Sequence, residues 1–325
     1  MPIADALLKR LRLPVMAAPM FLVSGPDLVV EVCRSGVIGS FPALNQRSSE
    51  GFAAWLEEIS GRLADIGDSA APFAVNLIVH RSNPRLAADL EIVARHKVPL
   101  VITSLGAVRD VVDTVHAYGG LVFHDVINIR HAEKAAQAGV DGIIAVSAGA
   151  GGHAGATNPF ALLSEIRSFF RGTLVLSGSL ATGRDIAAAR VMGADLAYMG
   201  TRFIATRESM APAAYKNMIV ASSSADILYT PAISGVNANF LRPSIVAAGL
   251  DPDHLPAHAE LDLNHEARAW KAIWSAGQGV GAVTDVPPAA VLCDRLADEY
   301  RDAMAAAGSD RFLAPLTSSD RSAHA

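Results

Sequence analysis

The sequence predicts an α/β fold of the (β/α)8 barrel class, and three observations carry that expectation. Short apolar runs alternate with amphipathic stretches from the N-terminal region to about residue 205, the rhythm of strands and crossover helices. Eight such runs occur, the number that closes a barrel. Each run lacks the polar alternation of a half-exposed strand, so it reads as a parallel strand covered on both faces.

The strand-like runs are 15–19, 37–41, 73–79, 100–105, 121–126, 142–148, 174–179 and 196–201. Each is short and rich in Val, Ile, Leu or Phe. Helices are expected between them. Over 84–96, Leu86, Leu90 and Val93 share one face, and over 107–118 Val108, Val111, Val112 and Val115 do the same. The pattern continues over 128–138, 159–170 and 182–192, with Gly139 and Gly193 where C-terminal caps belong. The competing arrangement is a doubly wound open sheet, which the count of eight disfavours.

Beyond 205 the rhythm breaks. Ser222, Ser223, Ser224, Pro231, Asn237, Asn239 and Pro243 describe an irregular inserted lobe over about 206–264. Helical stretches at about 265–276 and 287–307 return to the barrel, so the barrel domain is expected from 1–205 and about 265–307. The small polar residues of 308–325 read as a disordered tail. Trp270 and Trp274, four apart, have the spacing of a helix packing face.

Composition narrows the function classes. Of 325 residues, 51% are apolar and 18% charged, which excludes a disordered chain or a coiled coil. Against 32 acidic residues stand 27 basic ones, a net charge of −5. No Lys/Arg cluster runs along the chain, so nucleic acid and anionic membrane are poor partners. Cys33 and Cys293 are isolated, which fits neither a disulfide framework nor structural zinc; Cys33, inside an expected helix, reads as a packing residue. The apolar run 13–23 after Lys9, Arg10 and Arg12 has the outline of a secretory signal, but Pro14 and Pro19 interrupt it. No stretch approaches the ~18–20 apolar residues of a membrane span. A soluble, cytoplasmic protein is expected.

In such barrels the chemistry lies at the C-terminal ends of the strands. The seventh and eighth runs end in Gly178-Ser179 and Gly200-Thr201, where backbone N–H groups, hydroxyls and helix N-termini together suit a phosphate. Ordinary helix-capping chemistry is the alternative. After the sixth run, Gly149-x-Gly151-x-x-Ala154 satisfies the relaxed dinucleotide fingerprint, but it follows the wrong strand and opens no helix. A loop lying against a flat ring, with His153 held over it, fits better. His153 sits between glycines with no hydrophobic periodicity to claim it, and a histidine can take a proton near neutral pH. His124 and His131, seven apart, lack metal-ligand spacing; no metal is expected.

The ordered set Ala17-Ala18-Pro19-Met20, Phe73 to Asn76, Gly151-Gly152-His153-x-Gly155, Gly183-Arg184 and Met199-Gly200-Thr201-Arg202-Phe203 resembles the nitronate monooxygenase family, formerly 2-nitropropane dioxygenases. Flavin-dependent enoyl-acyl-carrier-protein reductases are relatives of that family. The resemblance implies a TIM barrel with an added lobe and non-covalent FMN. It places Ala18 and Met20 against the flavin ring, Asn76 in a hydrogen bond to it, and Gly151 and Gly152 along it. His124, at a position often Lys in that family, joins the cofactor set. Gly178, Ser179, Gly200 and Thr201 would hold the phosphate, and His153 matches the active-site histidine. The chain departs from the family at Gly149, where an acidic residue is common, and at Ser179, where a second glycine is usual. The activity implied is FMN-dependent oxidation of alkyl nitronates with O2 to a carbonyl compound and nitrite. The alternative is an NAD(P)H-dependent flavin reductase of the enoyl-acyl-carrier-protein or quinone type. Partners are then a small molecule and O2, with a homodimer one option.

Overall fold

A computed structural model describes residues 7, 9–106, 108–255, 271 and 273–310. Eight parallel strands form its centre: β1 (Val15–Ala17), β2 (Gly39–Pro42), β3 (Phe73–Ile78), β4 (Leu100–Ser104), β5 (Leu121–Val126), β6 (Gly142–Val146), β8 (Thr173–Ser177) and β9 (Leu196–Met199). Each falls on one of the runs read from the sequence. β1 pairs with β9. The ring closes where Met16 bridges Ile38, with the Ala17 N–H donating to Ile38 O and the Ile38 N–H to Val15 O. Closure rather than an open sheet is therefore the outcome.

Helices follow the strands: α1 (Pro26–Arg34), α2 (Ser49–Ala64), α3 (Leu86–Arg95), α4 (Arg109–His116), α5 (Ile129–Ala138), α6 (Pro159–Phe169) and α7 (Gly183–Val191). Local chemistry sets several ends. Asn128 accepts from the His131 N–H at the start of α5, Gly139 closes it at φ 87°, and Thr182 with Asp185 forms a capping box on α7. The short α8 (Thr201–Ile204) leaves β9, and the long α11 (Ala289–Gly308) returns to the barrel. It packs so closely on α7 that a Cβ at Gly183 would collide with its backbone, and Glu299 Oε2 accepts the Gly183 N–H at 2.7 Å.

Strand alternation sorts the side chains into two layers. Met16, Ala74, Leu100, Ile102, Phe123, Ile144, Val175 and Leu196 fill the barrel interior. Val75, Val101, Val122, Ile143 and Leu174 face the helices. Cys33 is buried there, and burial pushes its thiol up to about 12, as packing demands. Among the described residues no helix is long and apolar enough to cross a membrane.

Between β9 and α11 the chain forms α9 (Ala213–Ala221), β10 (Ile227–Thr230), β11 (Ala238–Leu241) and α10 (Arg242–Ala247). β10 and β11 are antiparallel, and β11 also pairs with the two-residue β7 (Gly152–His153), matching Ala238 to His153 and Asn239 to Gly152. Trp274 stacks on Tyr215 at 4.9 Å between ring centroids. Trp270, the start of the expected helix over 265–276 and the tail from 311 lie outside the described residues.

Candidate active site

The inward side chains at the C-terminal ends of the strands face one cavity of about 1570 Å³. All eleven sequence-identified residues border it: Ala18, Met20, Asn76, His124, Gly151, Gly152, His153, Gly178, Ser179, Gly200 and Thr201. Their roles differ in ways only the geometry shows.

The loop after β1 is held by Asn45, whose Oδ1 accepts the Leu22 N–H at 2.8 Å and whose Nδ2 donates to Met20 O and Ser24 O at 3.1 and 2.8 Å. This clamp fixes Met20. A Cβ at Gly200 would stand 3.6 Å from Ala18 Cβ and 3.7 Å from Met20 Sδ, so these three residues form one continuous wall.

Around the Gly-rich loop, backbone runs too close for side chains. Gly149 adopts φ 82° and its Cβ would press on Ser179 Oγ and stand 2.8 Å from Gln278 Oε1. A side chain at this position would require Ser179 and Gln278 to move. Gly178 adopts φ 132°, and Ser179 takes the left-handed conformation at φ 59°, costly for a residue with a Cβ. The backbone there thus has the shape that a second glycine would adopt freely. Thr201 Oγ1 accepts the Gly277 N–H at 2.8 Å, which leaves its hydroxyl proton available to donate.

The lobe locks the histidine segment in place. Asn239 Nδ2 donates to Ala150 O at 2.7 Å, the Gly152 N–H donates to Ser275 Oγ at 2.6 Å, and Ser275 Oγ donates to Asn239 O at 2.5 Å. The stretch Val236 to Phe240, to which the sequence assigns no role, is thereby a brace for His153.

Two further site residues come from alternation on the barrel wall. Asn76 Nδ2 donates to Ser104 Oγ at 2.8 Å, and Ser104 Oγ donates to Asp125 Oδ2 at 2.5 Å. Asp125 Oδ1 is shielded from solvent without a hydrogen-bond partner among the described residues. Burial pushes this carboxyl up to about 6, against the opposing influence of the Ser104 hydrogen bond and the His153 charge. Among the described residues Asp125 is the one carboxylate bordering the cavity. Its signal in the sequence was available, since position 125 shares the parity of inward Leu121 and Phe123.

The same alternation sets the orientation of His124. It shares the outward parity of Val122 and Val126, and its Nδ1 lies 2.8 Å from Thr103 Oγ1. Burial, with the neighbouring His131, pushes it down to about 4. It borders the cavity as a neutral imidazole of outward parity, next to inward Asp125.

A closed α/β barrel with a deep cavity at its strand ends, holding a histidine and a carboxylate, defines an enzyme, and its relatives identify an oxidoreductase. The sequence pattern of nitronate monooxygenases matches residues 82–299, and the chain belongs to the nitronate monooxygenase family. It is 27% identical to a nitronate monooxygenase of Paraburkholderia phytofirmans, over 82% of this chain and 83% of that one. A dehydrogenase of Rhodococcus jostii acting on a 5-hydroxy-7a-methyl-1-oxo-octahydro-1H-indene-4-carboxyl-CoA is 28% identical over 72% of this chain and 64% of its own length. A nitroalkane oxidase from Streptomyces ansochromogenes superposes with a TM-score of 0.79 at 25% identity, covering 93% of this chain and 99% of that one. FabK from Thermotoga maritima shares the fold with a TM-score of 0.77 at 22% identity, covering 94% and 97%.

Proposed function

We propose that the chain is an FMN-dependent oxidoreductase that converts alkyl nitronates, with O2, to a carbonyl compound and nitrite. The observation that carries this reading is the meeting of a glycine-lined cradle with His153 and Asp125 in one cavity, in a chain of this family.

The residues present fit FMN. Gly200, Ala18 and Met20 leave a wall without obstruction, while Gly151 and Gly152 would lie along the ring and Asn76 would reach its edge. Ser179, Thr201 and the N–H groups beside Gly178 and Gly200 would hold the phosphate. When bound, the flavin supplies the redox chemistry, accepting an electron from the substrate and enabling reaction with O2. His153 takes the α-proton of a neutral nitroalkane, and ionised Asp125 favours the imidazolium so formed. The Ser104 and Asn76 chain orients that carboxylate.

The purified protein is expected to be yellow and to release FMN on heating. Anaerobic mixing with a preformed nitronate should bleach the flavin, and mixing with NADH should not. Bleaching by NADH alone, with no reaction toward nitronate, would establish the second reading, an NAD(P)H-dependent reductase. That reading draws on the Rhodococcus relative, a dehydrogenase. Recovery of FAD, or of no flavin, would overturn both.

A further inference from the structure

We propose that the cavity rim beyond β2, β3, β4 and β5 is a second anion site, built for the phosphates of a nucleotide-bearing substrate or co-substrate. It lies across the barrel mouth from the strand-end cradle at β8 and β9. The chain is acidic, with a net charge of −5. Yet Arg47, Arg81, Arg85, Arg109, Lys134 and Lys271 all border the cavity, against the single carboxylate of Asp125 among the described residues. Five of these six cations follow four neighbouring strands. Arg47 follows β2, Arg81 and Arg85 follow β3, Arg109 opens α4, and Lys134 lies on α5.

One of them is committed to structure. Arg85 pairs with buried Asp89 at 3.0 Å and donates to Gln46 O at 2.6 Å. The other four on this arc make no ion pair among the described residues. Arg109 donates only to Gln137 O, at 2.9 Å, and Arg47 and Arg81 make no side-chain hydrogen bond there. Arg81 is presented by a formed turn, in which the Ser82 N–H donates to His80 Nδ1 at 3.3 Å. Solvated cations on a surface normally have anions interspersed among them. Four cations without an ion pair, exposed around one concave mouth, raise a positive potential there, and guanidinium forks match phosphate oxygens.

Charge and size together select the ligand. A diphosphate with a further phosphomonoester carries about −3.5 to −4, against four free cations. The cavity, about 1570 Å³, exceeds the ~300–1,000 Å³ of ordinary small-molecule pockets, so FMN leaves room in it for a second ligand larger than an alkyl nitronate. The shared chemistry is an adenosine diphosphate bearing an extra ribose phosphate, as carried by coenzyme A thioesters and by NADPH. This inference does not depend on which oxidation the cavity performs.

The test is calorimetric titration of the purified holoprotein with coenzyme A, dephospho-coenzyme A, NADPH and NADH, at low and at physiological salt. Binding of coenzyme A or NADPH is expected, at least fivefold tighter than its counterpart lacking the ribose phosphate, and weaker at the higher salt. Preference for coenzyme A assigns the handle to a thioester substrate, and preference for NADPH to a nicotinamide. The Arg47→Glu/Arg81→Glu double variant should lose at least tenfold in affinity with its flavin content and melting temperature unchanged. Arg47→Gln/Arg81→Gln should fall between it and the wild type. Failure of both nucleotides to bind, or binding indifferent to these substitutions, overturns the proposal whether or not nitronates are turned over.

Discussion

Asp125→Asn tests the site where structure and chemistry are most tightly linked. The carboxyl holds its proton up to about pH 6 in the folded protein, against 3.8 ordinarily. The difference of about 2.2 in pKa corresponds to roughly 3 kcal/mol, at about 1.4 kcal/mol per pKa unit. Its sign follows from proton counting. Between about pH 4 and pH 6 the folded state binds more protons at this group than the unfolded state does, so its contribution to stability falls as pH rises and then levels off. Asn keeps the size and can still accept from Ser104 Oγ, but it carries no charge to desolvate. The variant should therefore be more stable than the wild type by on the order of 2–3 kcal/mol at pH 8, with the gap shrinking toward pH 4. Urea unfolding of both proteins across that range, with and without bound flavin, reads the difference directly. Turnover of neutral nitroalkane should fall in the variant even as stability rises, because the imidazolium of His153 loses its counter-charge. Parallel stability curves for the two proteins would refute the assignment of a strained, ionisable carboxyl at this position.

Three further outcomes are expected. His124 titrates near 4 in the folded state against 6.5 ordinarily, so the unfolded state takes up its proton first. Its stabilising contribution is present above pH 6.5 and is lost as pH falls toward 4, and His124→Gln should flatten that acid limb in thermal melts. Gly178→Ala places a Cβ against Ser147 Oγ and 2.9 Å from Ala148 O at φ 132°, which should cost about 2–3 kcal/mol and lower the flavin content, read by absorbance and melting. Unchanged flavin in a folded variant would remove Gly178 from the cradle. His153→Asn should cut turnover of neutral nitroalkane by about 10²–10⁴-fold and that of preformed nitronate much less; equal losses would show that His153 binds substrate or cofactor without moving a proton.

The parts of this protein legible from its residues are those governed by local rules. Two-sided burial writes itself into a strand as an uninterrupted apolar run, which is why all eight barrel strands could be placed within a few residues of their ends. Gly178 and Gly200 stand out because each precedes a hydroxyl residue at a strand end, and Gly-Gly-His because few other pressures produce it. His124 and Asp125 differ for a physical reason: adjacent strand residues face opposite layers, and a motif match does not resolve a parity of one. The parity of Phe123 points inward to Asp125.

Tertiary structure decided what depends on contacts between distant segments. Nothing in the order of residues indicates that Val236 to Phe240 pairs with Gly152 and His153, because a two-residue strand has no periodicity of its own. The chain likewise shows no basic cluster along its length. Arg47, Arg81, Arg109 and Lys134 are separated by 34, 28 and 25 positions and meet only because the barrel brings the C-terminal ends of neighbouring parallel strands to one mouth. Periodicity and glycine placement act within a few residues and so are readable from the sequence, whereas the electrostatics of a cavity sum over groups that only the closed barrel brings together.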